Sequence, residues 1–562
     1  MIVTMVASTL IPPGLWLILG GLALPLLPLR LRQATLLGLP ILVLSAIWTM
    51  PDGIALRASF LGQSLVLVQA DALSRLFATV FAVMVFGGGL FALNQTRVTE
   101  LAAALCYAGG AIGVVFAGDL ITVFVFWELM ALASTLVVCC GGEAARGAGL
   151  RYAVIHLFGG ALLMAGIAGE VAATGSTAFG PMPLDSPARW LILAGFLINA
   201  GAPPLSVWIS DAYPESSWSG MVFLSAFTTK TAVYVLMRGF PGAEVLIPIG
   251  LFMVFYGIVY AILENDIRRI LAYSIVNQVG FMVTGIGIGT EMALNGVAAH
   301  AFAHIIYKAL LLMAAGSVLF MTGKRNCTDV GGLFRSMPIT TICGIVGALS
   351  ISAFPLTSGF VSKSMISDGA AAAHLSWVWF LLAAASAGVF LHAGIKFPWF
   401  VFFQKDSGLR PPDPPWNMRA AMVFFSVLCL GLGMMPGPLY ALLPYPVTYV
   451  PYTANHVIFQ LQLLLFSGLA FFLMLGWLQR TLTITLDVDW FWRGRGVRHL
   501  GQGADHAWAV IERLGERLGR LAVRLVRRHH GIEGVLARTW PTGSMAFWTA
   551  AMLAAYLVIS YL

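Results

Sequence analysis

Runs of roughly 20 apolar residues recur along almost the whole chain, and they constrain the fold more than any other feature. Each run is about as long as the helix needed to cross the hydrocarbon core of a bilayer. Only 10% of the residues are charged and 59% are hydrophobic, whereas a soluble domain carries about 25% charge. Continuous apolar runs favour helices over the alternating pattern of a membrane barrel. The sequence therefore predicts an all-α polytopic membrane protein.

We predict about sixteen transmembrane helices in this 562-residue chain, numbered as spans 1 to 16. They cover residues 10–29, 34–50, 77–94, 100–117, 119–140, 152–173, 188–209, 219–237, 245–263, 270–289, 294–321, 338–371, 377–403, 419–436, 457–478 and 544–562. Spans 7 and 12 contain helix-breaking sequences, NAGAPP from Asn199 and FPLTSG from Phe354. Proline and glycine should interrupt both helices within the membrane, a pattern typical of inverted-repeat transporters.

The distribution of basic residues predicts the topology. With the N-terminus outside, nearly all loop cations fall on the cytoplasmic side, whereas the loop at 437–456 has none. This asymmetry is the positive-inside bias of multi-pass proteins. Spans 4–8 and 9–13 then form two five-helix units of opposite orientation, with the broken spans in equivalent places. We therefore predict two inverted five-helix repeats with discontinuous helices.

These features divide the chain into six predicted segments. They are N-terminal transmembrane helices at 1–99, a first inverted repeat at 100–240, a second at 241–405, C-terminal core helices at 406–480, an amphipathic lateral segment at 481–543 and a terminal transmembrane helix at 544–562. Within 499–540, leucines and arginines form separate stripes at helical spacing. We expect an amphipathic helix on the cytoplasmic side there, which either lies on lipid or clamps neighbouring subunits.

Three ionisable residues interrupt the apolar run of span 11. His300, His304 and Lys308 are spaced i, i+4 and i+8, so they stack along one helix face over roughly 12 Å. Ionisable groups are costly at membrane depth and normally face a bundle interior or a water-filled path. The column therefore predicts part of a proton relay.

Two more charged groups lie deep within spans. Glu128 stands midway along span 5, and Lys230 lies inside span 8. A buried carboxylate costs several kcal/mol unless it is paired or protonated, so we expect Lys230 to be the partner of Glu128. Such a pair could either exchange a proton as the lysine changes state or be a static structural ion pair.

Further basic residues lie beside these. Lys363 follows the break in span 12, where it either lines the same path or caps the broken helix. Lys396 in span 13, with His392 four residues before it, occupies the place symmetric to Lys230, but it is close enough to a helix end to snorkel. His156 in span 6 is either a relay member or a satisfied core histidine.

Several function classes are not indicated. The sequence has no phosphate-binding loop, dinucleotide fingerprint, nucleophile elbow or metal-ligand spacing, so we predict no cofactor and no metal ion. The six cysteines lie mostly in apolar runs and are interpreted as packing residues. The net charge of +8 fits topology and lipid contact, and we expect no nucleic-acid partner.

Six segments together resemble one known family. They are FVFWELMALAS, PPLSVWISDAYPES, LSAFTTKTAVYVLMR, ENDIRRILAYSIVNQVGFM, HAFAHIIYKALLLMAAGSV and FPLTSGFVSKSMI. The resemblance covers most of residues 70–405 and is to the antiporter-like proton-translocating family, which includes large subunits of Mrp-type Na⁺/H⁺ antiporters and the homologous membrane-arm subunits of complex I. The tail DVDWFWRGRG, at 487–496, is similar to that of the D-type subunit of Mrp antiporters.

The resemblance implies a polar axis at mid-membrane within fourteen core helices. By position, Glu128 matches the family's key glutamate and Lys230 the basic group of span 8. The column of span 11 matches the central relay, and Lys363 matches the basic group of the second broken helix. One departure is that Asn199 and Ser206 stand where the family usually has lysine and histidine. Asparagine cannot carry a proton at pH 7, so either Lys230 takes over as the partner of Glu128 or this half-channel conducts differently.

These observations predict a transporter subunit rather than a self-contained enzyme. We expect an ion- and proton-translocating subunit of a multi-subunit Mrp-type monovalent cation/proton antiporter. The alternatives are a proton-pumping, non-redox subunit of an NADH dehydrogenase-like or hydrogenase complex, and a subunit of a proton-coupled inorganic carbon uptake complex. The expected partners are other membrane subunits, lipids, protons and Na⁺, and the expected location is a bacterial inner membrane.

Overall fold

The computed structural model describes residues 11–60, 62–477, 487–488, 509, 512–525 and 541–561. The chain divides into two compact units, Met1–Thr485 and Leu486–Leu562. The helices of the first unit are α1 Pro13–Ala23, α2 Leu29–Thr49, α3 Ala72–Phe91, α4 Val98–Phe116, α5 Leu120–Cys139, α6 Glu143–Thr174, α7 Pro187–Ala200, α8 Trp208–Ala212, α9 Gly220–Leu224, α10 Thr228–Gly239, α11 Leu246–Leu263, α12 Ile267–Ile288, α13 Glu291–Thr322, α14 Pro338–Ile351, α15 Phe360–Ala372, α16 Ser376–Val389, α17 Trp416–Met434, α18 Gly437–Tyr440 and α19 Ala454–Leu473.

The predicted all-α polytopic class is confirmed. Within the described residues, 13 helical stretches are long and apolar enough to cross a membrane. Three shorter apolar stretches, Pro13–Leu26, Pro187–Ala200 and Pro338–Ile351, account for the remaining predicted spans. The clearest difference at a boundary is α6, which begins at Glu143, well before the predicted start at residue 152.

A β-hairpin between α2 and α3 was not predicted. Strands β1 (Gly53–Phe60) and β2 (Gln63–Ala70) pair antiparallel. The hairpin packs on the start of α5, where the Val66 amide donates a 2.8 Å hydrogen bond to the Asp119 carboxylate. A lone hairpin is marginally stable in water, so its place depends on this contact with the helical body.

Both predicted helix breaks are present. In span 7, α7 ends at Gly201 in the left-handed conformation, with φ 78°, and the chain resumes as α8. In span 12, an irregular segment separates α14 from α15, and Ala353 and Leu356 adopt positive φ of 56° and 69°. Gly359 stands at the end of this break. A Cβ there would lie 1.8 Å from the Ser350 carbonyl oxygen, so the position requires glycine.

Two further irregularities were not predicted. Span 8 is interrupted between α9 and α10, at residues 225–227. Span 13 continues from α16 as π-helix at Phe390–Lys396 and again at Trp399–Phe403. π-Helical turns and broken helices recur at functional positions. Lys230 lies three residues after the interruption of span 8, and Lys396 ends the first π-helical segment.

The two five-span units are alike in their skeleton. The long helices α6 and α13 each contain 32 residues, and the pre-break helices α7 and α14 each contain 14. Asp119 caps α5 and forms an antiparallel β-bridge with Ala178. Asp266 caps α12 and forms the corresponding β-bridge with Asn326. Each cap therefore pairs with the segment that follows the unit's long helix.

The second compact unit contains two described helical stretches, α20 over 512–525 and α21 at Thr542–Tyr561. The leucine and arginine stripes of the predicted amphipathic helix fall partly on α20, and its leucines are exposed within this unit. The rest of the predicted lateral segment lies outside the described residues.

Candidate proton path

The predicted column lies at the centre of the first unit. His300, His304 and Lys308 on α13 are each 0% exposed. Helix α13 is surrounded by α3, α12, α14, α15 and α17. The ionisable face of α13 is therefore directed into protein and not toward lipid, as expected for a functional group at membrane depth.

His300 has partners on two neighbouring helices. Its Nδ1 lies 3.3 Å from the Ser362 hydroxyl of α15, and its Nε2 lies 3.1 Å from Gln278 Oε1 of α12. The Tyr307 hydroxyl donates to the same Gln278 oxygen at 3.2 Å. His300 thus links the central helix to the helix that begins after the second break.

His304 has no hydrogen-bond partner for either ring nitrogen within the described part of the chain. Its ring centroid lies 6.2 Å from that of His300, and Lys230 and Lys308 are its charged neighbours. Leaving a buried polar group unsatisfied costs about 1–3 kcal/mol. Two free nitrogens also allow an imidazole to accept a proton on one side and release it on the other.

Lys308 and Lys230 are both held by a hydroxyl and a backbone carbonyl. Lys308 Nζ donates to Ser274 Oγ at 2.8 Å and to the Leu271 carbonyl at 3.3 Å. Lys230 Nζ donates to Thr229 Oγ1 at 3.0 Å and to the Ser225 carbonyl at 2.7 Å. The interruption between α9 and α10 frees that carbonyl, so the unpredicted break positions Lys230.

Lys363 has the least constrained ammonium group of the set. It is 2% exposed, and within the described residues its Nζ has no hydrogen-bond partner. The Nζ lies 4.5 Å from the centroid of the Phe281 ring, a cation–π contact. It also lines a cavity of about 310 Å³ between α15, α16 and α19.

The predicted ion pair between Glu128 and Lys230 is wrong. Among the described residues no salt bridge joins the two side chains, and Glu128 Oε1 has no partner. The half-buried carboxylate lies instead against Gly160 of α6, where a Cβ would come within 1.9 Å of Oε1. Lys230 is directed to its own helix break and not toward α5.

Lys396 caps a helix. Its Nζ donates to the carbonyl oxygens of Ala261, Ile262 and Glu264, at 3.0, 2.5 and 2.5 Å, at the C-terminal end of α11. A cation there satisfies free carbonyls and complements the helix dipole. The ammonium is buried in protein, so Lys396 does not snorkel, which was the alternative to a role in the path. His392 Nδ1 lies within hydrogen-bond distance of the Gly388 carbonyl oxygen, at 2.9 Å.

The first break contains no titratable residue at the expected lysine position. Asn199 Oδ1 and Ser206 Oγ are buried and have no partner within the described residues. His156 stacks on Tyr152 at 3.8 Å and meets Trp208 edge-on at 4.6 Å. His156 Nδ1 lies 2.9 Å from the Tyr152 carbonyl oxygen, whereas its Nε2 has no hydrogen-bond partner within the described residues. His156 is therefore a packed core histidine whose ring is only half satisfied.

Residues that the sequence did not single out complete the path. Gln278 and Ser274 hydrogen bond to the column, and the Tyr307 hydroxyl lies 3.4 Å from His300 Nε2. Asn277 and Gln278 stand side by side in the middle of a predicted span, a signal that could have identified them. Among the described residues, no three His, Cys, Asp or Glu side chains could together hold a metal ion.

At the predicted cytoplasmic ends, charged groups outside the spans connect the two five-span units. Arg325, which follows α13, pairs with Asp266 and with Glu215, the latter at 2.9 Å. Burial raises the pKa of the Asp266 carboxyl, and the Arg325 guanidinium only partly offsets this. Arg268 donates to the carbonyls of Pro214, Ser216 and Ser217, at 2.9, 2.7 and 2.7 Å.

Comparison with known proteins identifies the family of this chain. The family model "NADH:quinone oxidoreductase/Mrp antiporter, TM" matches residues 117–390. The N-type subunit of the NADH-quinone oxidoreductase of Desulforudis audaxviator is 30% identical over 58% of this chain and 71% of its own length. The chain belongs to the NADH:quinone oxidoreductase/Mrp antiporter transmembrane family.

Other relatives and solved structures extend this comparison. The D-type subunit of the Na⁺/H⁺ antiporter of Alkalihalophilus pseudofirmus is 31% identical over 45% of this chain, which spans only 56% of that relative. A chain of the Mrp complex from Dietzia sp. superimposes with a TM-score of 0.77 at 22% identity, over 92% of this chain and 63% of that one. A chain of an archaeal membrane-bound sulfane sulfur reductase superimposes with a TM-score of 0.71 at 23% identity, over 97% and 99%. At these identities the structures show a shared fold, and both belong to multi-subunit membrane assemblies.

Proposed function

We propose that this chain is the proton- and ion-translocating subunit of a multi-subunit, Mrp-type monovalent cation/proton antiporter in a bacterial inner membrane. The observation that carries the proposal is the buried polar series Lys230, Lys308, His304, His300 and Lys363. These side chains are ionisable, lie in one protein interior, and extend from an interrupted helix of one five-span unit to an interrupted helix of the other.

Protons move along this series by changes in protonation of neighbouring groups. A buried lysine loses its proton more readily than an exposed one, and a nearby positive charge increases that tendency. Protonation of Lys230 or Lys308 therefore disfavours a proton on His304, whereas deprotonation favours it. His300 passes the change to α15 through the Ser362 hydroxyl, and Lys363 receives it.

Na⁺ is the proposed coupled cation, and lipids and further membrane subunits are the proposed partners. The Na⁺/H⁺ antiporter relative supports this assignment, since it is 31% identical over 275 residues. We place the N-terminus outside because the cationic loops then lie in the cytoplasm. Reporter domains fused after α1 and after α2 would test the orientation. With the N-terminus outside, the fusion after α1 should report the cytoplasm and the fusion after α2 the opposite side.

The main experiment measures cation-dependent proton movement in everted vesicles that contain the whole complex. Lys308→Ala and Glu128→Ala should each abolish antiport while the complex still assembles, because each removes a titratable group at membrane depth. Lys324→Ala, which alters an exposed lysine after the same helix as Lys308, should behave like the wild type. Full activity in both Lys308→Ala and Glu128→Ala would refute the proposed function.

A second candidate is the proton-pumping membrane subunit of a redox-driven complex. The superposition on nearly the whole sulfane sulfur reductase chain favours it, as does the quinone oxidoreductase relative. In that case, partner subunits would carry the electrons, and this chain would perform the same proton steps. Purification of the native complex decides between the two, since iron–sulfur subunits would co-purify only with the redox assembly.

A further inference from the structure

The break between α7 and α8 contains two buried polar side chains that the proton path does not use. Asn199 is 2% exposed and Ser206 is 3% exposed. Within the described residues, neither Asn199 Oδ1 nor Ser206 Oγ has a hydrogen-bond partner. Buried polar groups are nearly always satisfied by protein, by ordered water or by an ion. The two oxygens therefore indicate a polar occupant at this break.

Backbone oxygens are left without helical donors at the same place. The last helical turn closes where the Ala202 amide donates to the Leu197 carbonyl at 3.0 Å. In a continued helix, the carbonyls of Asn199 and Ala200 would accept from the amides four residues later. Those residues are Pro203 and Pro204, which have no N–H. Two main-chain oxygens are therefore available beside the oxygens of the side chains.

The electrostatic field at the break favours a cation. Helix α7 has 14 residues and ends there, so its C-terminal end contributes roughly half a negative charge. The free groups are an amide oxygen, a hydroxyl and backbone carbonyls, which are the kinds of ligand that hard cations prefer. Unwound carbonyls at the C-terminal end of a half-helix are a recurring way to coordinate Na⁺ within a membrane.

A carboxylate lies at the same level of the neighbouring helix α6. Glu128 Oε1 lies against Gly160, and within the described residues it has no partner. Ile198, which precedes Asn199, packs on the adjacent Gly159, where a Cβ would lie 3.2 Å from Ile198 Cγ2. Helix α6 therefore brings the carboxylate of α5 and the end of α7 to one level, where Glu128 can balance the charge of a cation.

The second break differs in both respects. Ser350 occupies in α14 the thirteenth position, which Asn199 occupies in α7, but its hydroxyl donates to the Val346 carbonyl at 2.8 Å. A positive charge also stands next to that break, because Lys363 is the fourth residue of α15. The first break has no cationic side chain between residues 199 and 207, so an ion can take that place.

We propose that the break between α7 and α8 binds Na⁺ through Asn199 Oδ1, Ser206 Oγ and the carbonyl oxygens of Asn199 and Ala200. Water completes the coordination, and Glu128 supplies the opposite charge. The inference deepens the proposed function and rests on it, because Na⁺ is the coupled cation there. The first five-span unit then binds the cation, whereas the ionisable column of the second carries protons.

The first test measures binding of radioactive Na⁺ to the purified complex and does not depend on transport. Asn199→Lys should bind one Na⁺ fewer per complex than the wild type, because its ammonium takes the place of the ion. Ser206→Ala removes one ligand and should raise the dissociation constant for Na⁺ about tenfold. This small change keeps the test decisive if Asn199→Lys does not assemble.

Ser350→Ala is the matched control for binding. It removes a buried hydroxyl from the equivalent helix of the second unit, where that hydroxyl already has a partner, and it should bind Na⁺ like the wild type. If Asn199→Lys and Ser206→Ala also bind Na⁺ like the wild type, the site is overturned, and the buried oxygens bind water only.

The second test measures Na⁺-dependent antiport in everted vesicles. Ser206→Ala should raise the Na⁺ concentration that gives half the maximal rate about tenfold, because one ligand is lost. The maximal rate should stay close to the wild type, since the proton-carrying column is intact. A lower maximal rate at an unchanged half-maximal Na⁺ concentration would overturn the assignment of Ser206 as a Na⁺ ligand.

The two tests separate failure of the inference from failure of the proposed function. If antiport is normal and all variants bind Na⁺ equally, the inference fails and the proposed function stands. If the wild-type complex shows no antiport at all, the proposed function fails. Loss of one bound Na⁺ in Asn199→Lys, or weaker binding in Ser206→Ala, would still establish the site.

Discussion

The two five-span units share a skeleton but differ in the chemistry they carry. Helices α6 and α13 have the same length, so their residues can be compared one by one. At the tenth, fourteenth and eighteenth positions, the first unit has Tyr152, His156 and Gly160, and the second has His300, His304 and Lys308. The first column consists largely of side chains that pack in the core, whereas all three side chains of the second column are ionisable.

The helices after the breaks differ in the same way. Their fourth residues are Asp211 in α8 and Lys363 in α15. Arg151 of α6 holds Asp211 through two hydrogen bonds of 2.7 and 2.9 Å. Lys363 contacts an aromatic face and a cavity instead. One backbone arrangement can therefore either neutralise a buried charge or leave it free to exchange a proton.

The largest expected effect is the loss of stability when the ion pair between Arg151 and Asp211 is broken. Arg151→Ala leaves Asp211, whose side chain is 4% exposed, without its guanidinium, which should destabilise the protein by about 3–5 kcal/mol. Thermal unfolding of the purified complex measures this loss. The double variant Arg151→Ala/Asp211→Ala should recover part of it, since the buried carboxylate that lost its guanidinium is then removed as well. Equal stability of the single and double variants would mean that the pair does not stabilise the unit.

The next prediction compares the two histidines at equivalent positions. His304→Gln should lower proton movement by about 100-fold, the lower end of what a proton-transferring group typically contributes. His156→Gln should leave transport close to the wild type, because His156 is held by aromatic packing. Proton flux in everted vesicles gives both values. Equal losses would show that both units conduct.

The smallest expected effect is at Gly160. Gly160→Ala places a Cβ against Glu128 Oε1, and the flexible carboxylate should move aside at a cost of about 1 kcal/mol. Gly166→Ala on the same helix is the control, because its Cβ would meet backbone at 2.7 Å and should destabilise more. Thermal unfolding gives this ranking. A larger loss in Gly160→Ala would indicate that the position of Glu128 is rigidly fixed.

Sequence patterns predicted most of the fold. The apolar runs indicated the spans, because the length and hydrophobicity of a transmembrane helix are local properties. The two breaks were predictable from glycine and proline for the same reason. The hairpin β1–β2, the interruption before Lys230 and the π-helical segment near Lys396 were missed, because their backbone depends on contacts with distant helices.

For the site, sequence patterns alone indicated which side chains carry charge into the membrane and that three of them share one face of α13. The partners of these side chains became evident only from the packing of the helices. Glu128 and Lys230 form no ion pair, Lys396 caps α11, Asp211 pairs with Arg151, and Lys363 lines a cavity. A periodic pattern fixes the face of a helix, whereas pairing and solvation depend on distances between elements far apart in the chain.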